Sequence, residues 1–198
     1  MLNVMVDLET LDNTSTSLIL SIGACVFDEN GVGTGHFYTT VKAASCHAIG
    51  LTISADTVKW WMKQSVEARN AVFGEGHMEI LQKLADGQEP TSDMLDALTP
   101  GGMDIADALE ELRQWWPAGT PFWGNGATFD NVIVSDAYRR LGARRPWHYT
   151  ADRCYRTLKA LFPKVPAQAR AGTYHNALDD ALYQAEHAAA ILKHMKGD

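Results

Sequence analysis

The order of the hydrophobic segments constrains the fold of this chain more than any other feature. Three segments rich in β-branched, aromatic and other apolar residues come first, at residues 2–9, 17–28 and 35–41. Such segments favour β-strands, and the glycines within residues 31–35 favour a hairpin between the second and the third. The sequence therefore predicts that the sheet begins with three antiparallel strands joined by short turns.

Helical periodicity dominates the rest of the chain. Apolar residues recur every three or four positions, as in helices with one buried face, and short strand-like segments alternate with these helices. We therefore predict one α/β domain over residues 1–198, in which three antiparallel strands and then parallel strands form a mixed sheet flanked by helices. The predicted helices span 55–73, 104–116, 129–141, 153–162 and 176–195; short strands span 120–124 and 147–151, and an irregular or partly helical insertion spans about 74–103.

Length and composition fit a soluble cytoplasmic protein. The 198 residues suffice for one domain with a real core, and no apolar run approaches the roughly 18 residues that span a bilayer. The first residues, MLNVMVDLET, lack the basic segment of a signal peptide. Cys25, Cys46 and Cys154 are widely spaced and odd in number, which favours reduced thiols over a disulfide framework or a zinc ribbon. We therefore expect a cytoplasmic location and no membrane partner.

Positive charge is concentrated in one stretch of an acidic chain. The formal net charge is −7, yet residues 139–170 contain nine of the seventeen Lys and Arg residues and only one acid, Asp152. This stretch carries +8 and the remainder carries −15. It indicates either a local positive face for a polyanion or a solvated surface on which the clustering has no function.

Two carboxylates follow one another on the first predicted strand. Asp7 and Glu9 are two positions apart, so they point to the same face of a strand while Leu8 points to the opposite face. Two like charges beside a buried strand are costly unless a cation or a proton is shared between them. The alternative is that the strand has already ended and both acids are solvated.

Four further polar residues lie at the ends of predicted elements. Asp130 opens a helix after a short strand, and Asp179 and Asp180 lie in the first turn of the last helix, where acids also serve simply as helix caps. His175 precedes that helix and, taken alone, is equally well explained as a surface residue.

Taken together, Asp7, Glu9, Asp130, Asp180 and His175 form a coherent set of reagents. Oxygen ligands suit Mg²⁺ or Mn²⁺. Four acids suit two such ions roughly 3.5–4 Å apart, as in the displacement reactions of phosphoryl groups. A histidine with an ordinary pKa of about 6.5 can take a proton from the attacking water.

The sequence resembles a known family in three motifs that occur in order along the whole chain. VDLET at 6–10, GNGATFDN at 124–131 and HNALDDA at 175–181 resemble the motifs of the DEDD 3′–5′ exonucleases, in the histidine-containing, DnaQ-like subgroup. The segment KWWMKQSVEAR at 59–69 is similar to the branch that contains phage exonuclease A, exonuclease VIII-like proteins and the bacterial exoribonuclease RNase AS.

This resemblance implies an RNase H-like fold and a site for two Mg²⁺ or Mn²⁺ ions. It implies that Asp7, Glu9, Asp130 and Asp180 are the metal ligands, with the spacing from His175 selecting Asp180 over Asp179, and that His175 is the general base. The substrate is then the 3′ end of a DNA or an RNA, hydrolysed to nucleoside 5′-monophosphates. The backbone of Leu8 and Thr10 and the ring of Phe129 or Trp123 are candidate substrate contacts, and core packing is the alternative for both rings.

The sequence leaves several alternatives open. A catalytically silent nucleic-acid-binding module on the same fold, or a hydrolase of small phosphoesters, would share many of these features. Neither the choice between DNA and RNA nor strand preference is decided, because the residues that would meet a 2′-hydroxyl are not evident. Related enzymes occur as homodimers, so a homodimer is a possible assembly.

Overall fold

The computed structural model describes residues 1–197 and contains one five-stranded sheet in the order β3-β2-β1-β4-β5. β1 pairs antiparallel with β2, and β2 antiparallel with β3, whereas β1–β4 and β4–β5 are parallel. The predicted mixed sheet is therefore confirmed. The strands are β1 (Asn3–Thr10), β2 (Ile19–Asp28), β3 (Gly31–Thr40), β4 (Phe122–Gly124) and β5 (Asp152–Cys154).

Helices cover both faces of this sheet, and in residues 1–197 none is long and apolar enough to cross a bilayer. A 3-10 helix spans Tyr149–Ala151. The α-helices are α1 (Ala43–Ala48), α2 (Ala55–Trp61), α3 (Val66–Asn70), α4 (His77–Ala85), α5 (Ser92–Leu98), α6 (Ile105–Trp115), α7 (Asp130–Arg140), α8 (Tyr155–Leu161) and α9 (Ala177–Met195).

Three details of the predicted secondary structure were wrong. The helix predicted over 55–73 is two helices, because the Ser65 hydroxyl accepts the backbone N–H of Ala68 and starts α3 anew. The strand predicted over 147–151 begins only at Asp152, after the 3-10 helix. The glycines of 31–35 lie within β3 itself, and the turn before it is shorter than predicted. Segment 74–103 contains α4 and α5, and α1 was not predicted.

The alternation of side chains along β1 builds two cores on opposite faces of the sheet. Val4, Val6 and Leu8 point into the larger core, which lies beneath helices of the first two thirds of the chain. Met5 points into a smaller core formed with α8 and α9. Because the side chains of β1 alternate, residues 7 and 9 lie on the side of Met5, beneath α9.

Gly23 of β2 permits a close approach between the sheet and the start of α9. It pairs with Asp7 across the β1–β2 ladder. A Cβ atom at this position would lie 2.2 Å from the backbone carbonyl carbon of Ala177 and 2.2 Å from the backbone nitrogen of Leu178. Only a residue without a side chain lets the first turn of α9 lie against this part of β2.

We therefore expect Gly23→Ala to lower the free energy of unfolding by roughly 3 kcal/mol, the upper end of what overpacking costs, because backbone must move rather than a side chain. Chemical denaturation measures this. Gly101→Ala is the matched control, since nothing lies within 4 Å of a Cβ at Gly101. Equal stability of the two variants would contradict the proposed close packing.

Candidate active site

Asp7 and Glu9 lie side by side on the face of β1 that α9 covers. The Glu9 side chain is buried, with 6% of its surface exposed, and Asp7 is partly buried. Leu8 points the other way, into the larger core, as the alternation of the strand predicted. Burial within β1 excludes the alternative in which the strand has ended and both carboxylates are solvated.

Asp130 is brought to the same end of the sheet by the parallel pairing of β4 with β1, since it begins α7 shortly after β4 ends. Its side chain is 2% exposed, and its Oδ2 has no hydrogen-bond partner in the protein. Phe129, not Asp130, is the N-cap of α7. The capping role that remained open for Asp130 is therefore excluded, and its carboxylate has an unused acceptor.

The two adjacent acids at the start of α9 have different partners. Asn176 caps the helix, because its Oδ1 accepts the backbone N–H groups of Leu178 and Asp179. Asp179 turns its Oδ2 toward the preceding loop and accepts the backbone N–H of Thr173 at 2.7 Å. Asp180 turns inward, to the carboxylates of β1.

His175 sits between the loop and α9 in a left-handed conformation. Its φ is 62°, the only positive φ of a non-glycine residue in the described part of the chain. This conformation directs the His175 backbone N–H to Asp180 Oδ2 at 3.0 Å. The imidazole lies edge-on to Trp60, with 4.8 Å between ring centroids, so the partly buried ring is held beside the carboxylates.

These elements converge on one cluster that suits a divalent cation. Ligand atoms of Glu9, His175 and Asp180 all lie within 4.8 Å of one another. Asp7 and Asp130 lie close enough for mutual repulsion to affect their protonation. Carboxylate oxygens and one imidazole, with an unpartnered buried oxygen on Asp130, fit Mg²⁺ or Mn²⁺.

Electrostatics of the cluster disfavour negative charge when no cation is bound. Burial, and then repulsion by the other acids, raises the pKa values of Asp7 and Glu9 well above their ordinary values. Burial also raises the pKa of Asp130 to about 7, although backbone amides nearby, including that of Leu8, oppose the shift. Burial lowers the pKa of His175, which favours its neutral form.

Two residues of this site were not predicted from the sequence. Gln184 donates through Nε2 to Asp7 Oδ1 at 2.7 Å. Its position, four residues after Asp180 on one helix, is a signal that would have placed it on the same face. The second is Arg170, whose guanidinium forms an ion pair with Asp180. No local pattern indicates this pair, because it depends on how the loop before α9 folds back.

The residues suggested as substrate contacts differ in their surroundings, and most of them are buried. Thr10 donates its hydroxyl to the carbonyl of Asp12 at 2.7 Å, and its own carbonyl accepts Trp61 Nε1 at 2.8 Å. Phe129 is half-buried and packs against the larger core. Trp123 is buried in the smaller core, where its Nε1 donates to Asn3.

The basic stretch 139–170 contributes only in part to the site. Arg139 and Arg140 pair with Asp136 on α7. Arg156, which is exposed, donates to the carbonyl of Asn125 in the loop before Asp130. Together with Arg170, it gives the carboxylate cluster a cationic margin.

Comparison with known proteins identifies a family. The model of the 3′-5′ exoribonuclease Rv2179c-like domain matches residues 2–192. No curated protein matches the chain at the sequence level.

One of two similar solved structures establishes the fold. The nuclease domain of 3′hExo, a DEDDh family member solved bound to rAMP, is similar with a TM-score of 0.60 and 13% identity, over 98% of this chain and 92% of that one. Cell-death related nuclease 4 (CRN-4) has a TM-score of 0.48 and 13% identity, over 99% of this chain and 64% of that one. The likeness to the first confirms the RNase H-like fold.

The raised carboxyl pKa values lead to a stability prediction. The folded protein holds protons on Asp7, Glu9 and Asp130 that the unfolded chain, with carboxyl pKa values of about 4, releases. The folded state therefore binds more protons, and stability in EDTA falls as pH rises from about 4 to about 7. Asp7→Asn should raise the melting temperature at pH 7 and make its pH dependence shallower.

Thermal unfolding at several pH values measures this effect. Asp107→Asn, on the exposed side of α6, is the control and should keep the slope of the wild type. If the melting temperature of Asp7→Asn depends on pH as steeply as that of the wild type, repulsion within the cluster does not limit stability.

Proposed function

Because this chain belongs to the family of 3′-5′ exoribonuclease Rv2179c-like domains, and is therefore a 3′–5′ exonuclease, we propose that it hydrolyses the terminal phosphodiester bond of RNA and releases nucleoside 5′-monophosphates. That the family is one of exoribonuclease domains supports RNA over DNA. The observation that carries the proposal is the convergence of Glu9, His175 and Asp180 within 4.8 Å, beside the partly buried Asp7 and the buried Asp130.

Four carboxylates would hold two Mg²⁺ or Mn²⁺ ions in this site: Asp7, Glu9, Asp130 and Asp180. When bound, such ions activate water and stabilise the leaving oxygen of a phosphodiester. The protein itself orients the ligands. Gln184 fixes one oxygen of Asp7, and the His175 backbone N–H and the Arg170 guanidinium hold the two oxygens of Asp180.

His175 is the general base of the proposed reaction. Its lowered pKa leaves the imidazole neutral at physiological pH, which is the form that accepts a proton. The edge contact with Trp60 and the backbone bond to Asp180 hold the ring at the margin of the carboxylate cluster. Base and metal ligands are thereby fixed relative to one another.

The substrate would enter along the cationic margin. Leu8 and Thr10 are proposed to contact the terminal nucleotide through their backbone, and the partly exposed Phe129 ring is proposed to stack on a base. Arg156 would contact a phosphate, so affinity should fall as salt concentration rises. A homodimer and a cytoplasmic location remain part of this proposal.

A catalytically silent binding module is the rival, and the complete set of metal ligands with His175 argues against it. A gel time course on 5′-labelled RNA and DNA of matched sequence, in Mg²⁺, Mn²⁺ or EDTA, separates the two. We expect RNA to shorten from its 3′ end more readily than DNA, and EDTA to stop the reaction.

Asp7→Ala should abolish this ladder without unfolding the protein, because the variant loses a metal ligand and also a buried like charge. Asp107→Ala, which removes an exposed acid, is the matched control and should keep wild-type activity. Intact oligonucleotides with the wild type under every metal condition would favour the binding module instead.

His175→Ala should slow turnover by about 10²–10⁴-fold, the usual contribution of a general base, with a smaller effect on metal affinity. His47→Ala, on the exposed side of α1, is the control. Single-turnover kinetics measure the rate and calorimetry the metal affinity. Wild-type turnover in His175→Ala would show that another group accepts the proton.

A further inference from the structure

The loop before α9 inserts a permanent cation into the carboxylate cluster. Arg170 forms an ion pair with Asp180 Oδ1, and both side chains are only 13% exposed. Since the other oxygen of Asp180 accepts the His175 N–H, both oxygens of this carboxylate already have protein donors. In the folded chain Asp180 is therefore fully engaged before any metal arrives.

Aromatic rings hold this guanidinium in place. Its central carbon lies 4.0 Å from the ring centroid of Tyr174 and 5.2 Å from that of Tyr183. These are distances at which a cation is attracted to the ring face. Arg170 Nε, however, is buried without a hydrogen-bond partner. The side chain is thus bound by charge and stacking but not fully satisfied, as expected of a group that can leave.

The segment 170–175, here called the strap, is fastened to α9 through the acid next to Asp180. Asp179 accepts the backbone N–H of Thr173, and a side chain at Gly172 would clash with the Asp179 carboxylate, 2.4 Å from its carbon. Asp179 therefore positions the strap, while Asp180 receives its cation. The two adjacent acids therefore have different roles, which the sequence alone could not distinguish.

Two arrangements are compatible with a metal bound to Asp180. The ion could share the carboxylate with Arg170, which would then help to orient the ligand. Alternatively, the guanidinium and the ion compete, since like charges that meet at one oxygen within a poorly solvated site repel each other strongly. The unsatisfied Nε and the small exposure of the pair favour competition.

We propose that Arg170 is a built-in competitor for the divalent cation: its guanidinium neutralises Asp180 in the metal-free protein and gives up that carboxylate when the ion binds. The inference rests on the proposed function, because it assumes that Asp180 is a metal ligand. Its consequence is that the protein lowers its own metal affinity in return for a stable metal-free state.

Isothermal titration calorimetry with Mn²⁺ tests this competition without reference to catalysis. Arg170→Gln should bind Mn²⁺ about tenfold more tightly than the wild type, which corresponds to about 1.4 kcal/mol. The same variant should melt at a lower temperature in EDTA and gain more on addition of Mn²⁺, as linkage requires.

Arg156→Gln is the matched control, since Arg156 acts on Asp130 through space but donates to a backbone carbonyl and not to a carboxylate. We expect its Mn²⁺ affinity to stay within about twofold of the wild type. An equal gain in Mn²⁺ affinity in both variants would mean that the loss of any nearby positive charge has the same effect. That result would overturn direct competition between Arg170 and the ion. If Arg170→Gln does not fold, Arg170→Lys is the test variant. It should bind Mn²⁺ more tightly than the wild type, because a lysine lacks the planar guanidinium that pairs with the carboxylate and stacks on the tyrosine rings.

Failure of the inference can be told apart from failure of the proposed function. Measurable Mn²⁺ binding by the wild type, with no tighter binding by Arg170→Gln or with weaker binding, overturns the competition alone and supports shared ligation. If neither protein binds Mn²⁺, the metal site itself fails and the inference fails with it.

Discussion

The mutual repulsion of buried carboxylates is the constraint on which the rest of this structure depends. β1, α7 and α9 each bring acids to one cluster, where burial removes the water that would otherwise screen them. Hydrogen bonds and an ion pair offset the repulsion at two of these acids. Gln184 donates to Asp7, and Arg170 and the His175 backbone N–H donate to Asp180. This compensation is partial, since Asp130 Oδ2 has none, and the remaining deficit is what a divalent cation would supply.

Much of this site could be predicted from the sequence because it depends on local periodicity. The alternation along a strand placed Asp7 and Glu9 on one face and Leu8 on the other, and the structure confirms this arrangement. The mixed sheet followed from the order of strands and helices. The three sequence motifs supplied the remaining acids and His175, and the matched family confirms the class of enzyme that they implied.

What could not be predicted depends on tertiary packing or on single side-chain bonds. Ser65 restarts a helix in the middle of a continuous periodic pattern, through one hydrogen bond to Ala68. Arg170 lay in a stretch that charge counting assigned to the surface, yet ring stacking and an ion pair bring it into the site. Gln184 is the exception, because its helical spacing from Asp180 would have identified it. The branch of the exonuclease family that the segment 59–69 indicated stays a prediction.

The hydrogen bond between Asp7 and Gln184 joins residues that are 177 positions apart in the chain. To bring residues so far apart in the chain together, folding must lose the conformational entropy of closing a very long loop before the ligands meet. During synthesis, an N-terminal portion of the chain can pair β1 with β2 and β3, but it has neither Asp180 nor His175 until the last helix has emerged. A chain that still lacks α9 therefore lacks the proposed base and the last of the proposed metal ligands, so the activity that we propose would begin only once α9 has docked.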